Sequence, residues 1–319
     1  MKEMVLKENN ILTTEKLSEY EESFIDYLDV DELTLKAYRV GINNFMTYLK
    51  DNNIKKPTRN DIIAFRDELR EKYSSNTINS YMIAVRALFK YLEIHKLYEN
   101  ICIDIKGAKY NTTPKKEVLS LEQAQELYSK LKDLRNRALF SLLITTGLRG
   151  IEVARAKIED IKYYNGEIVL WVQCKKHDSN DEFVKLSPQV IEDIKNYIGD
   201  RTEGYIFIST SNRNKNGGLT TTSLRRYIKS MFKEIGIDSD TFSLHSTRRS
   251  SATFMYENGA DLHSIQQVLH HKSSTTTTRY INAITRNNNK NEYIVADVIL
   301  GGKKWNKKYL KNYQIIRKY

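Results

Sequence analysis

The sequence predicts a mainly α-helical protein of two domains, and three observations lead to that prediction. Apolar residues recur at helical spacing in the first third of the chain, a short aperiodic stretch with a glycine and a proline follows, and the remainder is helical apart from one β-type hairpin. The predicted divisions are an N-terminal extension 1–14, a helical domain 15–106, a linker 107–117, a second domain 118–285 and a basic tail 286–319.

The bulk composition is that of a globular protein. The 319 residues are 40% hydrophobic and 29% charged. No apolar run reaches the roughly 18 to 20 residues that span a bilayer, and acidic residues near the start argue against a signal peptide. The two cysteines, Cys102 and Cys174, are too few for a disulfide framework or a cysteine-based zinc site. We therefore expect a cytoplasmic protein with no membrane partner.

Charge is polarised along the chain. The net charge is +11 and the pI is near 9.3. Residues 301–319 carry seven bases and no acid, whereas residues 1–32 carry ten acids and three bases. This excess of positive charge favours a polyanionic partner, and nucleic acid over a membrane surface.

Four helices are predicted in residues 15–106. Apolar residues at intervals of three and four form one stripe in each helix, as in Leu35, Tyr38, Ile42, Phe45 and Leu49. The predicted apolar segments are Leu17–Leu28, Leu35–Leu49, Ile62–Leu69 and Ile78–Leu92. Pro57 with Thr58, and the Ser74-Ser75-Asn76 stretch, mark helix starts because small polar side chains cap the free N–H groups.

Local signals in the second domain predict where its helices and strands begin and end. Ser120 and Gln123 have the spacing of a capping box, which predicts a helix start. An apolar helix over Leu139–Ile144 is predicted to stop at Gly147. Ile168–Gln173 and Phe183–Leu186, on either side of a polar turn, predict an antiparallel hairpin.

The second domain contains several isolated basic and hydroxyl-bearing residues that are candidates for a functional site. Arg149 follows the predicted helix stop, and His245 and Arg248 are three residues apart, hence on one face of a helix. His271 precedes Tyr280 by nine residues. Each residue alone has an ordinary structural explanation, so their joint order and spacing carry the information. The histidines lack a carboxylate cluster and an HExxH pattern, so no metal site is predicted.

In that order and spacing the sequence resembles the tyrosine recombinase, or phage integrase, family over residues 15–285. TGLRGIEVARAKIEDI resembles the first arginine motif of the family, and HSTRRSSATFMYENGADLHSIQQVLHHKSSTTTTRY resembles its later block. The resemblance implies an N-terminal four-helix, SAM-like core-DNA-binding bundle. It also implies a mostly helical catalytic domain with a small antiparallel β-hairpin or sheet, the DNA breaking-rejoining fold.

The resemblance also implies a set of catalytic residues. Arg149 and Arg248 are the paired arginines, and Tyr280 is the nucleophile. The remaining positions are His245, His271, the supporting Glu152, and Lys175 on the hairpin turn, with Lys176 left as the alternative lysine. Some neighbours depart from the family pattern: Cys174 and Lys176 stand where glycines are common, and so does His270.

The implied function is site-specific DNA recombination through a 3′-phosphotyrosine intermediate and a Holliday junction, without metal or cofactor. Two arginines suit a phosphodiester, because forked guanidiniums bind its oxygens as charge builds on them. Integration or excision of a mobile element and multimer resolution use the same chemistry. The alternatives are a type IB topoisomerase and a catalytically silent DNA-binding protein on the same scaffold.

The implied partner is double-stranded DNA with inverted half-sites, bound by a homotetramer that is a monomer or weak dimer when free. An accessory DNA-bending or directionality protein is an additional candidate. Polar residues on the second and fourth helices are candidates for DNA contact: Lys36, Arg39, Asn43, Asn79 and Arg86. In the tail, Tyr293–Leu300 has two interpretations, an element that docks on a neighbouring subunit or part of a disordered basic end.

Overall fold

The computed structural model describes residues 12–109, 117–174 and 179–270, apart from the side chain of Arg213. The chain divides into two compact units, Met1–Thr113 and Pro114–Tyr319, which are described separately below. The predicted linker falls largely, and the basic tail entirely, outside the described residues.

Four α-helices form the described part of the first unit, as the apolar stripes predicted. They are α1 (Thr14–Tyr27), α2 (Glu32–Asp51), α3 (Arg59–Lys72) and α4 (Ser75–Ile94). The predicted starts are confirmed: the Ser74 hydroxyl accepts from the Thr77 N–H at 3.4 Å, and Thr58 with Asp61 forms a capping box.

The core of this unit is built from the predicted stripes. Ile42, Phe45 and Leu49 of α2 are fully buried. At Gly41 an added methyl group would lie 2.8 Å from the Ala84 side chain, so the missing Cβ lets α2 approach α4 closely. The apolar periodicity therefore places a single core among the four helices.

The second unit is mostly helical in the residues described. Its elements are α5 (Leu121–Lys130), α6 (Leu134–Thr146), α7 (Gly150–Arg155), β1 (Ile161–Tyr164), β2 (Glu167–Val172), β3 (Glu182–Lys185), α8 (Pro188–Ile198), α9 (Thr221–Lys233), α10 (Leu244–Glu257) and α11 (Leu262–Val268), with 3₁₀ turns at Ile158–Asp160 and Asn212–Asn214. The predicted capping box at Ser120 is present and starts α5.

The small sheet is antiparallel in the order β1-β2-β3. The hairpin of β2 and β3 confirms the prediction, with Leu170 opposite Val184. The first strand was missed because its residues are exposed apart from the partly buried Ile161, so no alternation marks it. Asn165 and Gly166 connect β1 to β2 with positive φ of 48° and 85°. An Asn-Gly pair is a hairpin signal that would have revealed the strand.

Helix α10 is buried although its sequence is polar. Its buried polar residues are Ser246, Thr247, Arg248, Arg249, Ser250, Ser251 and Thr253. Several hydroxyls are satisfied locally: Ser250 Oγ donates to the Ser246 carbonyl at 2.9 Å and accepts from the Leu119 N–H at 2.8 Å. These bonds offset the cost of burying polar groups, so a helix without an apolar stripe occupies the interior.

No helix within the described ranges combines the length and the apolar character that crossing a membrane requires.

Candidate active site

The site begins where α6 stops. Gly147 ends that helix with φ +66°, the left-handed conformation predicted for the helix stop, and its N–H bonds the Leu143 carbonyl at 3.0 Å. Arg149 follows as the N-cap of α7. A methyl group on Gly147 would lie 2.5 Å from Leu269 Cδ2 and 3.1 Å from Ser251 Oγ. The glycine therefore permits both the turn and the close approach of α10 and the end of α11.

Arg149 and Glu152 are paired on α7. The Glu152 side chain is fully buried, and its Oε1 lies 2.8 Å from Arg149 Nη1. Its Oε2 accepts the Arg149 backbone N–H at 2.7 Å. One carboxylate thus caps the helix and orients the guanidinium. The Arg149 side chain remains 27% exposed, so part of its guanidinium is open to solvent.

Arg248 lies beneath this pair. It is among the largest fully buried side chains of the described residues, at 1% exposure. Its Nη1 donates to the Gly147 carbonyl at 2.6 Å, and its Nη2 donates to the Leu269 carbonyl. Nη1 also lies 4.0 Å from Glu152 Oε2. Arg248 therefore links the turn after α6, the end of α11 and the buried carboxylate.

His245 and Arg248 share α10, as their spacing required, but differ in burial. His245 is exposed near the start of the helix, whereas Arg248 is buried one turn later. The structure therefore gathers Arg149, Glu152 and Arg248, and places His245 one helical turn from Arg248. The other predicted catalytic residues, Lys175 with its alternative Lys176, His271 and Tyr280, lie outside the described residues.

Two guanidiniums around one carboxylate leave this cluster with one excess positive charge. A buried and preorganised positive centre is suited to an anion, because low dielectric strengthens the interaction and the donors are already oriented. The planar fork of the partly exposed Arg149 matches the oxygens of a phosphate group, and the buried Arg248 adds its positive charge beneath it. The chemistry that this arrangement supports is binding and polarisation of a phosphodiester.

Cys174 and His270 pack beside this cluster, and both are positions that depart from the family pattern. Burial raises the pKa of the Cys174 thiol to about 12, and the Glu152 carboxylate acts in the same direction. Burial also lowers the pKa of the His270 imidazole. His270 has φ +48°, which explains why glycine is common there. Its carbonyl accepts from Arg149 Nη2 at 3.4 Å.

The candidate DNA-contact residues on α2 are accessible to differing degrees. Lys36 and Asn43 are exposed. Arg39 forms a two-pronged ion pair with Glu22, with nitrogen–oxygen distances of 2.9 and 3.2 Å. An exposed pair of this kind contributes little to stability, so the guanidinium can be released for another anion. All three remain predicted DNA contacts.

For Asn79 on α4 the structure gives a different role. Asn79 is 6% exposed, and its amide donates to the Ala108 carbonyl at 3.0 Å. The half-buried Arg86 donates to the Ile105 carbonyl at 2.7 Å. Arg66 likewise donates to the Lys106 carbonyl at 2.9 Å. Polar side chains of α3 and α4 therefore hold the segment 105–108 that follows the bundle. Asn79 and Arg86 stay predicted DNA contacts, and the structure gives the buried Asn79 a packing role within the first unit.

We expect Asn79→Ala to lower the free energy of unfolding by about 1–3 kcal/mol, because the Ala108 carbonyl loses its donor. The salt dependence of binding to duplex DNA is expected to stay as in wild type. Lys36→Ala is the matched control, and its expected result is the opposite. Its stability should be unchanged, but the slope of the logarithm of the binding constant against the logarithm of the salt concentration should be smaller by about one if Lys36 contacts a phosphate. Urea denaturation and DNA-binding titrations at several salt concentrations make the comparison. A reduced salt slope with unchanged stability for Asn79→Ala would instead support a DNA contact at Asn79.

Comparison with known proteins agrees with this fold. The phage integrase family profile matches residues 115–286, and the profile of the phage integrase N-terminal SAM-like domain matches residues 22–96. Tyrosine recombinase XerA of Pyrococcus furiosus is 31% identical over 268 residues, which cover 82% of this chain and 89% of XerA.

Solved structures show the same fold. XerH site-specific recombinase, in a post-cleavage complex with palindromic difH substrate, superposes with a TM-score of 0.68 at 22% identity, covering 88% of this chain and 84% of that one. A lambda integrase tetramer bound to a Holliday junction gives a TM-score of 0.67 at 18% identity, covering 85% and 78%.

The chain therefore belongs to the phage integrase family. Within that family it is a tyrosine site-specific recombinase.

Proposed function

We propose that this chain cleaves and rejoins DNA at a specific site through a 3′-phosphotyrosine on Tyr280, with a Holliday junction as intermediate. The observation that carries the proposal is the gathering of Arg149, Glu152 and Arg248 into one preorganised cationic cluster. Residues separated by about a hundred positions in sequence meet there, and the fold holds their charges in place.

The two arginines bind the non-bridging oxygens of the scissile phosphate. Glu152 holds the Arg149 guanidinium from behind at 2.8 Å, so the exposed part of that guanidinium is oriented toward solvent and ligand. As Tyr280 attacks, charge grows on the phosphate oxygens and each fixed donor stabilises it. Removal of one such donor typically costs about 10²–10³ in rate.

The chemical step is balanced without a cofactor. The Tyr280 oxygen forms a bond to phosphorus while the bond from phosphorus to the 5′ oxygen breaks. The tyrosine proton passes to a histidine, His271 or His245, and Lys175 gives a proton to the leaving 5′ oxygen. The reverse attack by a 5′-hydroxyl rejoins the strand, because the phosphotyrosine bond keeps the energy of the phosphodiester.

The assembly proposed is a homotetramer on two inverted half-site pairs, with Lys36, Arg39 and Asn43 on the DNA backbone. The likeness to a lambda integrase tetramer on a Holliday junction supports this assembly. The segment Tyr293–Leu300 docks on a neighbouring subunit in this proposal. Integration or excision of a mobile element and multimer resolution, with or without an accessory DNA-bending protein, all use this arrangement.

Covalent trapping tests the proposal. The full chain and its Tyr280→Phe variant are incubated, without added metal, with nicked duplexes from the DNA that flanks the gene, and the products are separated on denaturing gels. We expect a covalent adduct on one fragment with the wild-type chain and none with Tyr280→Phe. The variant should still bind DNA, because only the hydroxyl group is removed.

Other results would overturn the proposal in defined ways. Adducts on every fragment would indicate a type IB topoisomerase activity. Specific binding to one fragment with no adduct from wild type would indicate a catalytically silent DNA-binding protein. An adduct that persists in Tyr280→Phe would show that another residue is the nucleophile.

A further inference from the structure

Glu152, Cys174 and His270 form a compact cluster of metal-ligating side chains. One ligand atom from each residue lies within 4.8 Å of the other two. Glu152 and Cys174 are buried, and the His270 side chain is 5% exposed. The three residues come from α7, from the chain just after β2 and from the end of α11. They are far apart in sequence, so the sequence pattern predicted no metal site.

The imidazole of His270 gives an independent indication of a ligand. Its Nε2 lies 3.3 Å from the Phe183 carbonyl, which can only accept, so Nε2 carries the hydrogen. Nδ1 then carries no hydrogen and has a free lone pair. This nitrogen is buried and has no hydrogen-bond partner among the described residues. An imidazole that donates one N–H to a backbone carbonyl and keeps its other nitrogen buried with its lone pair unused has the arrangement of a metal-bound histidine.

From this geometry we propose that Glu152, Cys174 and His270 bind a thiophilic divalent cation of the zinc type. Imidazole nitrogen, thiolate sulfur and carboxylate oxygen are the donors that zinc takes, and three protein ligands leave one position for water. Ligand atoms of tetrahedral zinc lie about 3.3–3.8 Å apart, given its bond lengths. The longest separation in the cluster must therefore shrink by about 1–1.5 Å on binding.

The surroundings set limits on the affinity. Cys174 lies two residues beyond the end of β2, so its movement breaks no strand pairing. Binding displaces the thiol proton, and the thiolate with Glu152 then supplies two negative charges against the two of the cation. Arg149 and Arg248 stand beside Glu152 and oppose a further cation. We therefore expect weaker binding than in a structural zinc site.

A bound cation would act on DNA cleavage, and this part rests on the proposed function. The Glu152 carboxylate would be shared between the cation and Arg149, which weakens its hold on the guanidinium. Cys174 would be fixed next to Lys175, the proposed acid. We expect saturating zinc to slow strand cleavage about tenfold or more, because complete loss of a preorganised donor costs about 10²–10³ and Arg149 would be loosened rather than removed. A chelator should restore the rate.

Cobalt serves as the probe for binding, because Co²⁺ bound to a thiolate has a charge-transfer absorption that histidine and carboxylate ligands do not produce. We titrate the chelator-treated full chain with Co²⁺ and then displace it with Zn²⁺. One equivalent should give the absorption in wild type, and Cys174→Ser should abolish it. Cys102→Ser removes the other buried cysteine, in the first unit, and should leave the absorption intact. His270→Asn should weaken the binding, because asparagine tolerates the positive φ but lacks the ring nitrogen.

Each result has a separate meaning. Absence of the absorption in wild type, or its persistence in Cys174→Ser, would overturn the site. That outcome leaves the proposed function untouched, because covalent trapping is performed without metal. If zinc binds but the rate of covalent adduct formation does not change, the inhibitory role is overturned. Zinc inhibition that is lost in Cys174→Ser and kept in Cys102→Ser would support both.

Discussion

Replacing Arg248 with lysine is expected to lower the rate of covalent adduct formation at least about 100-fold, the usual cost of losing a preorganised donor to a phosphoryl group. Arg248 is buried and reaches two carbonyls on different segments, those of Gly147 and Leu269. A lysine ammonium carries its donors on one nitrogen, so it cannot reproduce the two separate Nη contacts of the guanidinium or present a planar fork to a phosphate. Stability should also fall, since hydrogen bonds to charged groups contribute about 1.5–3 kcal/mol each.

Arg201→Lys is the control that separates these two effects. Arg201 also donates to two backbone carbonyls of the second unit, those of Tyr205 at 2.8 Å and Ile206 at 2.9 Å. Its replacement should lower the melting temperature but leave adduct formation unchanged at a temperature where the protein is folded. Both variants are compared by thermal denaturation and by covalent trapping. Wild-type adduct formation by folded Arg248→Lys would remove Arg248 from the proposed phosphate site.

Gly147→Ala is expected to destabilise the second unit by about 2–5 kcal/mol. Alanine in the left-handed conformation, here with φ +66°, costs about 1–2 kcal/mol. Its methyl group would also meet Leu269 Cδ2 at 2.5 Å, and over-packing adds about 1–3 kcal/mol. The contact pushes on the segment whose carbonyl holds Arg248, so adduct formation should fall even in the folded fraction.

Gly236→Ala isolates the conformational part of this cost. Gly236 has a similar φ of +75°, but nothing lies within 4 Å of an added methyl group. We expect a loss of only about 1–2 kcal/mol and normal adduct formation. Urea denaturation and covalent trapping give both quantities. Equal destabilisation of the two variants would show that the close approach of Leu269 to Gly147 carries no free energy.

Local patterns predicted most of the first unit and the beginnings of the second. The stripe from Leu35 to Leu49 became the buried face of α2, and the capping signals at Thr58, Ser74 and Ser120 each start a helix. These features depend on residues within one or two helical turns, which is the range over which sequence spacing carries information.

Patterns failed where a polar residue is buried. The polar face of α4 predicted an accessible side chain at Asn79, but this side chain is buried and donates to the Ala108 carbonyl in the interior of its unit. Helix α10 has no apolar stripe, and its burial depends on hydroxyls such as Ser250 that find partners within the fold. Whether a buried polar group is satisfied is a property of neighbours distant in sequence.

The sequence by itself determined the helices of the first unit, the hairpin and the family. These depend on the spacing of apolar residues, on turn residues and on the order of motifs, all of which are local or linear features of the chain. Only the tertiary structure decided that Glu152 is fully buried between Arg149 and Arg248, and that Cys174 and His270 lie beside it. Those positions are separated by up to about 120 residues, and packing of α7, α10, β2 and the end of α11 brings them together. Burial then changes their chemistry, because charges and lone pairs removed from water interact more strongly and must find partners inside the protein.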